Sequence, residues 1–127
     1  MARPWTADET INLARAWLDV AEDPNVEAFQ QQRTFWSRVR EVFINLQNHQ
    51  GEQRSLESVQ GKWRKMRHSI HEFEHIYACF HNEENPRRAE LALEEYRMTH
   101  PDFLYLPEWH LLRASAKIYD VILSNMS

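Results

Sequence analysis

Between Ser55 and Pro86 the apolar residues fall at Val59, Trp63, Met66, Ile70, Phe73, Tyr77 and Phe80, in alternating steps of four and three. Only a helix of 3.6 residues per turn collects such a series on one face. The spacing therefore predicts one long helix with a single buried side, running to about "HNEENP". Ser55 is its N-cap, and Glu57 is well placed against the positive end of the helix dipole.

The rest of the chain keeps the same period. "WTADE" opens a first helix through a capping box of Thr6 and Glu9, with an apolar stripe of Ile11, Ala14, Trp17, Leu18 and Ala21. Pro24 in "EDPN" stops it. Phe35, Trp36, Val39, Val42, Phe43 and Leu46 make a second helix that ends in the polar, Gly-containing "QNHQGEQR". Pro86 starts a fourth helix, "PRRAELALEEYRMT". "HPDFLYLP" is an extended connector, and "EWHLLRASAKIYDVILSN" is a fifth helix. No segment shows sustained two-residue alternation, so the expected class is all-α.

At 127 residues the chain suits one domain, or one domain with a helical appendage. Hydrophobic residues at 43% and charged residues at 27% describe an ordinary globular composition. No apolar run reaches the ~18 residues of a membrane span, and "MARPWTADET" has no signal-peptide core. Cys79 is the single cysteine, which excludes an internal disulfide and favours a reducing compartment. Two glycines leave no Gly-rich phosphate loop, which argues against nucleotide enzymes.

The net charge of −4 hides an uneven distribution. Residues 33–68 carry eight basic and three acidic side chains, whereas the flanking segments are acidic. A local basic field of this kind matters more for an anionic partner than the total. On a helical wheel at about 100° per residue, with Ile70 at zero, Gln60, Arg64, His68, His71 and His75 fall between roughly 80° and 160°. Gly61 falls near 180° and Lys65 near 220° on the same wheel. That outward face offers an amide suited to bidentate base reading, a guanidinium suited to guanine and a lysine for phosphate. Gly61 costs about 1 kcal/mol of helix propensity, and its missing side chain leaves room for a phosphate backbone to come close.

Three segments, "WTADETINLARAWLDVAEDP", "FWSRVREVF" and "RSLESVQGKWRKMRHSIHEFEHIY", with "FLYLPEWHLLR" more loosely, resemble the Myb/SANT-like domains of the trihelix type. The similarity is greatest to plant and oomycete proteins with a no-apical-meristem-associated region and to the Myb-like partners of Harbinger-type transposases. The resemblance implies a three-helix helix-turn-helix core over residues 1–84 and a C-terminal helical extension over 85–127, packed on or next to it. It implies a nuclear, non-catalytic protein whose third helix enters the major groove of double-stranded DNA, in transcription regulation or transposon-related recognition. Carried over by position, Gln60, Lys62, Arg64, Lys65 and Arg67 would touch DNA; His68 and Arg54 are further candidate DNA contacts. Trp5, Trp17, Trp36 and Trp63 would be core. Trp36 and Trp63 lie further apart than in a typical Myb repeat, so the second helix or its loop is longer. The alternative is a SANT-type protein-interaction module of a nuclear or chromatin complex, with the partner on the acidic C-terminal helices.

His71-Glu72-Phe73-Glu74-His75 also matches H-E-x-x-H, the zinc-protease pattern. A catalytic zinc needs a third protein ligand, a cleft and an open position for water. None of His81, His100 and His110 sits in a recognisable third-ligand motif. No catalytic metal and no cofactor is therefore expected. The two histidines are expected to extend the polar face, beside phosphates or in water, or at most to form a surface metal site.

Overall fold

The computed structural model describes residues 3–25 and 31–115. Among these residues the chain is all-helical: α1 (Ala7–Ala21), α2 (Gln32–Leu46), α3 (Leu56–Cys79), α4 (Arg87–Thr99) and α5 (Leu106–Arg113). The chain divides into two compact units, Met1–Lys65 and Met66–Ser127. The boundary lies inside α3 rather than between residues 84 and 85. The reason is the unbroken apolar stripe: Val59 and Trp63 serve the first core, and Ile70, Phe73 and Tyr77 serve the second.

In the first unit, the capping box forms as anticipated. Thr6 Oγ1 accepts the Glu9 N–H at 3.1 Å, and Glu9 Oε1 accepts the Thr6 N–H at 3.0 Å. The buried side of α1 consists of Leu13, Ala14, Ala16, Leu18 and Val20, while Ile11, Trp17 and Ala21 are only half-buried. At about 100° per residue these buried positions span roughly 200°, wider than any single stripe. Trp17 stacks on Trp63 of α3, with ring centroids 4.9 Å apart and planes 16° apart. Its edge meets Phe35 of α2 at 6.2 Å. One indole thus holds α1 against both other helices, and its size leaves part of it in solvent. Trp36 and Trp63 are core; Trp5, like Trp17, is partly exposed.

The connector from α2 to α3 turns through Asn48 (φ 55°), His49 (φ 59°) and Gly51 (φ 84°). Left-handed residues close a helix C-terminus, and Asn and Gly tolerate that conformation best. Asn12 Nδ2 donates to Gln47 Oε1 at 2.6 Å, which ties the connector back to α1. Ser55 Oγ accepts the Ser58 N–H at 3.1 Å and caps α3.

The second unit is organised around Phe73. Phe103 stacks on it at 4.3 Å, Trp109 meets it edge-on at 4.9 Å, and Tyr96 adds a further edge contact at 6.2 Å. Glu74 is buried beside this cluster, where its Oε1 accepts Trp109 Nε1–H at 2.9 Å and Arg113 NH1 at 2.7 Å. The Tyr77 ring carries the guanidinium of Arg88 at 3.9 Å and that of Arg113 at 4.6 Å. Helix α4 follows Pro86, and the segment before α5 is non-helical, both as the sequence suggested. Helix α5 begins two residues earlier than expected, with Pro107 in its first turn. The expected continuation beyond residue 115 lies outside the described residues.

Candidate nucleic-acid interface

Helix α3 separates its residues as the wheel indicates. Val59, Trp63, Met66, Ile70, Phe73 and Tyr77 are all buried, whereas Phe80, at the helix end, is half-buried. Arg64, Lys65, Arg67 and His68 are exposed, and Gln60 and Lys62 are half-buried. The structure therefore presents Gln60, Arg64 and Lys65 to solvent on successive turns, with Arg67 and His68 on the next turn of the same helix. Gly61 lies between them. A Cβ built on Gly61 would meet nothing within 4 Å, so no packing inside the protein requires a glycine there.

Arg54 requires a correction. A residue that contacts DNA must reach solvent, but Arg54 is only 4% exposed. Its Nε donates to Glu9 Oε2 at 2.8 Å and its NH2 to Glu9 Oε1 at 2.9 Å. NH1 donates to the Arg3 carbonyl at 2.7 Å, and the guanidinium lies 4.6 Å from the Trp5 ring centroid. With each nitrogen engaged inside the fold, nothing is left to reach a phosphate. One of the eight positive charges of the central segment is therefore cancelled in the interior. Burial by itself pushes the Glu9 carboxyl up, but the Arg54 hydrogen bonds and charge and the Thr6 N–H together hold it below its ordinary value. The hydrogen bond to Glu9 likewise raises Arg54.

Sequence reasoning also missed Glu74 and its partner Arg113. The signal was present: on the wheel, Glu74 falls at roughly 40°, inside the apolar stripe. A carboxylate there must find donors or remain uncompensated.

The H-E-x-x-H segment lies in the distal half of α3. His71 and His75 share a face of α3, with ring centroids 6.2 Å apart. Glu72, which would be the general base, has its Oε2 3.8 Å from His100 Nε2. Among the described residues, no three His, Cys, Asp or Glu side chains converge as a metal site would need. A cleft of about 240 Å³ lies elsewhere, against the α2–α3 connector between Phe43, Gln47, His49 and Arg54. Its lining also includes Glu52, and its one guanidinium, Arg54, is held by Glu9.

Compared with known protein families, curated proteins and solved structures, the chain gives no match.

Proposed function

We propose that this protein is a non-catalytic binder of duplex DNA that reads the major groove with the first half of α3, as a Myb/SANT-like domain does. The observation that carries the reading is the pairing of opposite faces on one helix. Val59 and Trp63 are buried, while Arg64 and Lys65 are exposed beside the half-buried Gln60. A reading helix must be fixed by one side and donor-rich on the other. Lys62, Lys65 and Arg67 supply phosphate contacts and hence affinity. Gln60 and Arg64 supply base contacts, the amide suiting adenine and the guanidinium suiting guanine. The first unit, with α1, α2 and the start of α3 joined through Trp17, is the scaffold this task requires. The reading places the protein in the nucleus, in transcription regulation or transposon-related recognition.

Selection from a random duplex library tests it. An enriched motif of a few base pairs that Arg64→Ala degenerates at one or two positions is the expected result. Recovery of no motif sinks base reading.

One feature favours a second reading, a protein-interaction module: Glu94 and Glu95 of α4 are adjacent and exposed, carboxylates of no use against phosphate, while Glu90 lies 3.8 Å from Arg87. Under that reading, Glu94→Lys with Glu95→Lys abolishes complex formation with a nuclear partner, and DNA affinity is unchanged or higher.

A further inference from the structure

The histidine pair left over from the H-E-x-x-H pattern has a chemistry of its own. His71 and His75 are four residues apart on an unbroken α-helix, so their side chains rise from the same face one turn apart. His75 is exposed and His71 half-buried. Their rings meet edge to face, with planes 63° apart and centroids 6.2 Å apart. Neither ring makes a hydrogen bond or an ion pair among the described residues, so the four ring nitrogens have no partner there. Of the nearby carboxylates, Glu72 has its Oε2 3.8 Å from His100 Nε2, and Glu74 is buried with Trp109 and Arg113 as partners.

We infer that His71 and His75 together chelate one late first-row divalent ion, Cu2+ most tightly and Zn2+ more weakly. Metal–imidazole bonds are about 2.0–2.1 Å long, and two histidines at i and i+4 on one helix face are the spacing that lets both reach one ion. The donor set selects the ion. Two neutral imidazoles with no carboxylate suit copper and zinc and disfavour magnesium and calcium, and copper heads the affinity order among first-row divalent ions. With two protein ligands the remaining coordination positions hold water. The bound ion cross-links one turn of the distal half of α3. The inference stands whether or not α3 binds DNA.

The test is Cu2+ titration of the full chain at pH 7.5, followed by calorimetry and by electron paramagnetic resonance. Wild-type protein should take up one tight equivalent whose spectrum carries two imidazole nitrogens. His71→Gln and His75→Gln should each weaken that uptake at least tenfold, while His81→Gln, at an exposed site off the pair, leaves it intact. Circular dichroism confirms that the variants stay helical, which separates loss of the ligand from loss of the fold. Addition of Cu2+ should raise the melting temperature of wild type and not of the double variant. Tight uptake that survives in the His71→Gln His75→Gln double variant overturns the inference, as does a spectrum with a single imidazole nitrogen.

Discussion

Arg54 grips both carboxylate oxygens of Glu9, at 2.8 and 2.9 Å, and the pair is buried at the start of α1. The same Glu9 side chain closes the capping box with Thr6, so one carboxylate starts a helix and anchors the connector to α3. Removing one partner strands the other. Glu9→Gln should destabilise the protein by about 3–5 kcal/mol, the usual cost of breaking a buried pair. Replacing both, as Glu9→Leu with Arg54→Met, should restore part of that loss. Urea unfolding of the single and double variants measures it. Full additivity of the two single losses would contradict a coupled pair.

The same pair sets an acid limit. Because the folded Glu9 is held below its ordinary value, its contribution is fully present above the unfolded carboxylate pKa of about 4.3 and is lost as pH falls through the lower folded value. Wild-type stability should therefore fall below about pH 5, more steeply than that of Glu9→Gln. Arg54, already charged throughout this range, adds no slope of its own. Thermal denaturation between pH 6 and 3 checks the difference, and parallel curves would count against it.

The stacked indoles predict unequal costs. Trp63 is 2% exposed, and Trp63→Ala should cost about 3–5 kcal/mol through the cavity it leaves. Trp17→Ala removes a half-buried ring and should cost less, although both lose the 4.9 Å stack. Equal losses would mean that the stack itself, rather than burial, dominates.

In the second unit, Glu74→Leu leaves the Trp109 indole N–H without an acceptor inside an aromatic core. A buried donor stranded in this way costs about 1–3 kcal/mol. Arg113, with its side chain 30% exposed, retains partial hydration and adds less. Trp109→Phe in the Glu74→Leu background should recover the donor penalty, which a double-mutant cycle measures.

Gly61→Ala distinguishes two reasons for a glycine in a helix. No neighbour lies within 4 Å of an added Cβ, so the substitution should stabilise the fold by about 1 kcal/mol. If the glycine admits a phosphate backbone, DNA affinity should fall in the same variant. Higher stability with unchanged affinity would reduce Gly61 to a tolerated exposed residue.

How far the chain could be read from sequence depends on what a single period encodes. The α3 stripe was legible residue by residue because six of its seven members lie in the two cores and nothing interrupts their spacing. The Thr6–Glu9 box and the Ser55 cap were legible because each is a contact within three residues. The burial of α1 was not, since a helix covered on two sides has no single stripe to find. Arg54 misled for a related reason. Its basic side chain sits beside a basic helix in sequence, but its partner Glu9 lies 45 residues away, and no local pattern marks such a pair. The division of the chain inside α3 was hidden by the regularity of the stripe, which gives no sign that successive turns serve different cores.

Under the proposed function, the exposed face of α3 binds DNA through phosphate and base contacts. This is tested most directly by the affinity of the purified chain for duplex DNA as a function of salt, with Lys65→Ala in parallel. Binding is expected at about 50 mM salt and should weaken linearly in log affinity against log salt, with the slope reduced by about one in Lys65→Ala. Absence of binding at low salt, or an affinity insensitive to salt and to Lys65, would contradict it.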